Sequence, residues 1–153
     1  MKDDIFIVQQ CLLQTPWKTY NGPLVIKPDS IYYLALGEIS NVKTALTGGA
    51  DYFSGYKEAL TELGSFVDNL DNLTIELEGS AKINKSEIEY CKPPSNFLVG
   101  RFNVKTIDKK YDFILAWIDI NKDSDRILIP RVEQKKNAQE LRDYLKYNLY
   151  PIK

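Results

Sequence analysis

The stretch that most constrains the fold runs from Gly22 to Leu36, because it contains two short apolar runs on either side of a turn signal. Both runs are rich in β-branched and aromatic residues, which favour strands. Between them stands Lys27-Pro28-Asp29-Ser30, where proline fixes φ near the value that the second turn position needs and the Asp and Ser side chains can bond the nearby backbone. We therefore predict a β-hairpin with strands at 24–27 and 31–36.

Other segments also predict strands. Residues 5–13 open with a β-branched and aromatic cluster that favours a strand, although a short helix over 8–13 fits as well. Tyr20-Asn21-Gly22-Pro23 predicts a turn before the hairpin. Apolar and polar residues alternate over 73–78, which is typical of a strand with one solvated face.

Later strands follow between clear turn signals. Lys92-Pro93-Pro94-Ser95-Asn96 predicts a rigid, solvated turn, and a strand is predicted directly after it. The run Phe-Ile-Leu-Ala-Trp near residue 115 predicts a strand buried on both faces. The predicted segments are a short strand at 39–42, alternating positions within 82–91, and strands at 97–106, 111–118 and 126–129.

Two segments have helical spacing. Apolar residues recur every three or four positions from Tyr52 to Leu70, which predicts an amphipathic helix over 51–70. A second helix is predicted at about 135–149, where Asn137 and Glu140 fit a capping arrangement and Pro151 ends the pattern, although a start several residues earlier fits as well.

These elements predict an α+β fold of a single domain spanning residues 1–153. Its antiparallel strands are expected to form a small barrel or two packed sheets, with the helix at 51–70 inserted among them and the helix at 135–149 closing the fold. A chain of 153 residues suffices for one full core, and no linker or repeat divides it.

Apolar run length, the first four residues and the cysteines are used to predict the cellular location. No apolar run approaches the roughly 20 residues of a membrane-spanning helix, and Met-Lys-Asp-Asp lacks the features of a signal peptide, so we expect a cytoplasmic location. Cys11 and Cys91 are expected to be reduced and buried. The net charge of −1 combines −6 over residues 51–90 with +5 over 91–153.

The pattern resembles a known family. Gly22 to Leu36, with its Gly-x-Leu-x-Ile-x-x-x-x-Ile-Tyr-Tyr-Leu run, is similar to the first hairpin of PH-like and GRAM-like domains. Residues 83–88 and 97–113 resemble later strands of such domains, and 138–149 resembles their terminal helix. The resemblance implies a binding role. The basic cluster that lipid-binding members carry in the first hairpin loop is missing, since Lys27 is opposed by Asp29, so no lipid-binding residues are carried over.

The chain contains no histidine, which excludes Ser-His-Asp and Cys-His nucleophilic sites and most zinc sites. Two cysteines cannot build a four-cysteine zinc site. Gly48-Gly49 lacks the following Gly-Lys-Ser/Thr of a phosphate-binding loop. We therefore expect no cofactor.

Three groups of polar and charged residues resemble functional sites, but each has a simpler structural interpretation. Asp119, Asn121, Asp123 and Asp125 match early positions of a calcium loop, but Ser124 replaces the required glycine and Pro130 the final glutamate, so a hairpin turn is favoured. The carboxylates Glu76, Glu78, Glu87 and Glu89 are typical of a solvent face. The basic residues near the last helix are too sparse for nucleic-acid binding and indicate a solvated helix face: Arg131, Lys135, Arg142 and their neighbours Lys136 and Lys146.

The leading hypothesis is a non-enzymatic binding module of PH-like type that recognises a protein or peptide. One alternative is a small bacterial immunity or inhibitor protein, whose acidic middle segment would cover a basic toxin. Another is a small-ligand binder or enzyme that uses carboxylates and tyrosines in a polar pocket of about 300 Å³ or more.

Overall fold

The structure is a computed structural model that describes residues 5–40, 61, 65–117 and 129–153. Short 3₁₀ turns at Phe66–Asn69 and Lys85–Glu87 connect some of its elements. The elements are β1 (Phe6–Gln14), β2 (Lys18–Ile26), β3 (Ser30–Tyr33), β4 (Gly37–Ser40), α1 (Leu70–Glu76), β5 (Ala81–Asn84), β6 (Ile88–Lys92), β7 (Arg101–Thr106), β8 (Lys110–Ala116) and α2 (Arg131–Tyr147).

The eight described strands form one open antiparallel sheet. Its order is β5-β3-β2-β1-β8-β7-β6, and β4 pairs with the first half of β2. The two end strands, β5 and β6, are separated in sequence only by the turn Lys85–Glu87. With α1 and α2, this sheet gives the described part of the chain the predicted α+β class.

The predicted hairpin is confirmed as β2 and β3. Leu24 pairs with Tyr33, and Ile26 pairs with Ile31. The amide of Lys27 donates to the Ser30 carbonyl at 2.8 Å across the turn. The facing residues are almost fully buried, so this hairpin lies at the centre of the core.

The turn predicted at Tyr20-Asn21-Gly22-Pro23 is wrong, because these residues lie inside β2. They mark the point where the strand changes partner, from β4 at residues 18–21 to β3 at residues 24–26. The chain after β3 comes very close here, since the Leu34 amide donates to the Pro23 carbonyl at 3.1 Å. A Cβ at Gly22 would lie 1.5 Å from the Leu34 carbonyl oxygen, so only glycine fits.

The strand predicted over 73–78 is also wrong, because residues 70–76 form α1. Leu70 and Leu73, one helical turn apart, pack with Tyr32 and its neighbours in a second, smaller core on the outer side of β2 and β3. The helix predicted over 51–70 lies mostly outside the described residues.

The later strands differ from prediction at their edges. β7 begins at Arg101 and not at residue 97. β8 is buried on one face only, since Phe113 and Leu115 are buried whereas Ile114 is partly exposed. Of the strand predicted over 126–129, only the last residue lies within the described ranges.

The terminal helix α2 begins at Arg131, earlier than predicted, so Asn137 lies in its interior and does not cap it. Its buried stripe of Ala138, Leu141 and Leu145 packs into the main core. The Tyr144 hydroxyl donates to the Ile26 carbonyl at 2.9 Å, which fixes the helix against the β2–β3 hairpin.

Beyond α2 the chain crosses to the edge of β6. The Cys91 amide donates to the Pro151 carbonyl at 2.6 Å, and the Lys153 amide donates to the Cys91 carbonyl at 3.0 Å. The Tyr150 hydroxyl donates to the Lys27 carbonyl at 2.6 Å. This segment therefore connects an edge strand with the turn of the central hairpin.

Candidate interaction surface

Residues 93–98, in the segment that connects β6 to β7, present two large apolar side chains to solvent, and we call these six residues the apolar loop. Phe97 is 89% exposed and Leu98 is 61% exposed. Single exposed apolar residues are common on protein surfaces. Two adjacent exposed apolar residues on one loop are more unusual.

Hydrogen bonds within the apolar loop fix its backbone. The Ser95 hydroxyl oxygen accepts from the amides of Phe97, at 3.3 Å, and Leu98, at 3.0 Å. The Leu98 carbonyl accepts from the amides of Ser95 and Arg101. A serine side chain that replaces backbone partners in this way stabilises a tight turn.

Two arginines of α2 hold the same loop from the side. Arg142 donates to the Pro94 carbonyl at 2.7 Å and to the Asn96 side-chain oxygen at 3.1 Å, and Arg131 donates to the Phe97 carbonyl at 3.1 Å. They are spaced by about three helical turns and so lie on one face of the helix. The loop is therefore tied along α2 at both of its ends.

A buried side chain also holds the chain at the end of the loop. The indole nitrogen of the buried Trp117 donates to the Val99 carbonyl at 2.7 Å. Because Val99 itself is buried, the chain turns inward directly after Leu98. Phe97 and Leu98 are thus the exposed apolar side chains of a loop whose two ends are fixed.

The surface around the loop is cationic. Lys92 and Arg101 flank it in sequence, and no acidic residue lies between them. On α2, Lys135 shares the face of Arg131 and Arg142, while Glu133 and Glu140 fall on the opposite side because 3.6 residues make one turn. We call these five residues the cationic rim: Lys92, Arg101, Arg131, Lys135 and Arg142.

A second surface feature is a polar depression of about 310 Å³ beside α1, lined by Lys27 and residues 67–72. Next to it, the Tyr32 hydroxyl donates to Asp71 at 3.1 Å, and Lys82 forms an ion pair with Asp71 at 3.1 Å. The ammonium groups of Lys27 and Lys82 lie 5.5 and 5.4 Å from the centre of the Tyr32 ring.

Asp71 and Lys82 each stabilise the charged form of the other. Hydrogen bonds from Lys82 and Tyr32 lower the pKa of Asp71. The same carboxylate raises the pKa of Lys82. At neutral pH the pair is therefore fully charged and fixes α1 to β5 and β3.

Both cysteines are free and buried, as predicted. Burial raises the pKa of Cys91 to about 12 and also raises that of Cys11. The thiolate is the nucleophilic and metal-binding form. Neither residue therefore offers a reactive thiol at neutral pH.

The other sites considered from sequence can be placed only in part. The calcium-loop residues Asp119, Asn121, Asp123 and Asp125 lie outside the described residues, and within the described ranges no three acidic or cysteine side chains cluster as metal ligands would. The four glutamates lie on different elements: Glu76 at the end of α1, Glu78 in the turn after it, Glu87 in a 3₁₀ turn, and Glu89 in β6.

The sequence pattern does not indicate the apolar loop, because the apolar residues after the predicted turn favour a strand that begins at Phe97. The preceding Pro93 and Pro94 were a usable signal, since prolines favour extended or turn conformations. The basic residues of α2 were interpreted as a solvated face. In the structure Arg131 and Arg142 instead hold the loop.

No protein-family model matches the sequence, and no curated protein matches it. Among the described residues, no helix is both long and apolar enough to cross a membrane.

Proposed function

We propose that this chain is a non-enzymatic, PH-like binding module that recognises a protein or peptide through the apolar loop. The observation that carries the proposal is that Phe97 and Leu98 are exposed on a loop held in place at both ends. Full burial of one such side chain is worth about 1.5–3 kcal/mol. A loop that is already ordered also loses little conformational entropy when a partner binds.

The PH-like part of the proposal rests on topology. β5 and β6 stand at the two ends of the sheet order, yet three residues connect them in the chain. Such a short connection favours a strongly curled sheet, and α2 packs its apolar stripe into the same core. We interpret this arrangement as a barrel closed by a terminal helix.

A selection from a random peptide library tests the proposal. The protein is the bait, and the double variant Phe97→Ala/Leu98→Ala is the counter-bait. Enriched peptides should bind the double variant at least about tenfold more weakly, because large apolar side chains at the centre of an interface contribute most of its affinity.

The matched control is Trp17→Ala/Ile107→Ala, which removes two other exposed apolar side chains from turns elsewhere in the sheet. This control should bind the enriched peptides as tightly as the unmodified protein. Equal binding by the Phe97/Leu98 variant, or failure to enrich any peptide, contradicts the proposal.

A second candidate function, small-ligand binding with carboxylates and tyrosine, is favoured by the polar depression. Its volume of about 310 Å³ is at the lower limit for ligand pockets, and Tyr32 and Asp71 lie next to each other there. A thermal-shift screen with small polar metabolites tests it: a stabilising compound should lose its effect in Asp71→Asn. The inhibitor alternative depends on the acidic segment 51–90, of which residues 51–60 and 62–64 lie outside the described residues.

A further inference from the structure

We infer that the partner of the apolar loop is an acidic, extended peptide segment that carries an apolar side chain, an inference that rests on the proposed function. Its basis is the cationic rim: Arg131 and Arg142 hold the backbone of the apolar loop, Lys92 and Arg101 flank the loop in sequence, and Lys135 shares the helix face of the two arginines. The rim and the loop together offer two kinds of contact, apolar at Phe97 and Leu98 and cationic at the rim.

The charge of the rim is not neutralised locally. Within the described residues, none of its five side chains has an ion pair with a carboxylate. On β8, the strand paired with Arg101, the carboxylate of Asp112 lies opposite Asn103 and forms an ion pair with Lys110 at 4.0 Å. A carboxylate supplied by a partner could therefore form an ion pair with a rim residue.

The chemistry of the rim suits carboxylates in particular. Three of its members are arginines, whose planar groups can donate two parallel hydrogen bonds to one carboxylate. Arg131 and Arg142 already use some of their N–H groups to hold loop carbonyls, which fixes the orientation of the donors that remain. Among the described residues Arg101 makes no such contact, and its side chain is exposed.

The shape of the rim favours a narrow ligand over a membrane surface. On α2 Arg131, Lys135 and Arg142 occupy one face, and Glu133 and Glu140 lie on the opposite face. A flat anionic surface pressed against the helix would also approach Asp143, which is exposed, whereas an extended peptide can follow the loop and the cationic face alone. The net charge of −1 gives the whole chain no general attraction to anionic lipid.

The test uses peptides enriched in the selection described above. We expect them to contain more Asp and Glu than the starting library, next to at least one apolar residue. A synthetic copy of one of them, followed by fluorescence anisotropy, should bind several-fold more weakly when salt rises from roughly 0.05 to 0.5 M.

Two charge variants distinguish the contribution of the rim to binding from that of the overall charge of the protein. Arg101→Gln/Lys135→Gln removes rim cations that do not hold the loop, and we expect it to weaken binding at least fivefold and to reduce the salt dependence. Lys109→Gln/Lys136→Gln removes the same amount of charge outside the rim and should change affinity by less than twofold. Unchanged thermal unfolding would show that all variants remain folded.

The outcomes distinguish the two proposals. If Phe97 and Leu98 are required but the enriched peptides are neutral or basic, or the two charge variants behave alike, the inference is wrong and the proposed function stands. If binding does not require Phe97 and Leu98, both fail. Binding of the protein to phosphatidylserine–phosphatidylcholine vesicles that depends on Phe97 and Leu98 would replace the peptide with a membrane and overturn the inference.

Discussion

At Gly22 the backbone of β2 lies so close to residue 34 that no side chain fits between them. The Asn-Gly-Pro sequence is normally a signal for a turn, and here it serves a different purpose. The hairpin turn at Pro28 and Asp29 could be predicted because its causes are local. The role of Gly22 could not be predicted from sequence, because the Leu34 carbonyl oxygen that excludes a side chain belongs to a segment twelve residues away.

Gly22→Ala should be strongly destabilising. The added Cβ would lie 1.5 Å from the Leu34 carbonyl oxygen, and backbone must move to relieve such an overlap, at a cost of about 3 kcal/mol. Gly37→Ala is the matched control, since no atom of the described residues lies within 4 Å of its Cβ position. Urea unfolding should show a change of less than about 0.5 kcal/mol for the control. Equal stability of the two variants would contradict the close approach.

At the scale of elements, α1 shows how one pattern can fit two structures. Leu73, Ile75 and Leu77 alternate as in a strand, but Leu70 and Leu73 also have helical spacing. The hydrophobic surface on the outer side of Tyr32 and Leu34 decides between them, because it buries Leu70 and Leu73 together. That surface exists only after the β2–β3 hairpin has formed.

Two alanine substitutions distinguish helix from strand. Leu73 is 9% exposed and Ile75 is 83% exposed, so Leu73→Ala should lower the free energy of unfolding by about 2–4 kcal/mol and Ile75→Ala by less than about 0.5 kcal/mol. A strand would place both side chains on the same face. Similar losses for the two variants in denaturant unfolding would therefore show that the helix is wrong.

The apolar loop belongs to the same scale. Its sequence identified the turn, but Phe97 and Leu98 were assigned to the next strand because apolar residues usually are. Their exposure depends on Ser95, which turns the backbone, and on Arg131 and Arg142, which approach from a helix more than thirty residues away. Only the fold brings these three residues to one loop.

Across the whole molecule, buried ionisable groups link stability to pH. Burial raises the pKa of Cys11, Cys91 and Tyr150, and burial with the nearby Glu87 raises that of Tyr111. In each case the folded chain retains a proton that the unfolded chain releases. Their contribution to stability is therefore complete below the unfolded pKa and is lost as pH rises.

We expect the free energy of unfolding to fall as pH rises above about 9, the ordinary pKa of a thiol. Cys91 alone should contribute a slope of about 1.4 kcal/mol per pH unit up to its folded pKa of about 12. Urea unfolding at a series of alkaline pH values measures the total slope. Cys91→Ala should show a shallower slope, and an identical slope in both proteins would contradict the assignment to this thiol.

Much of the architecture could be predicted, including the α+β class, the central hairpin and the buried stripe of α2 around Leu141. These features follow from periodicity within short segments. The order of the strands could not, because it depends on pairings such as Gln10 with Ala116, which leave no local trace in either strand.

That pairing also affects how the chain reaches its folded state. β1 stands in the middle of the sheet order, but its neighbour β8 follows roughly 100 residues later, so closing the intervening loop costs entropy before any contact offsets it. Sheets with such distant pairs fold slowly. During synthesis, one edge of the β1–β2 pair therefore stays unpaired until β8 has been made. An unpaired strand edge favours aggregation, so we expect the nascent chain to depend on a chaperone during this interval.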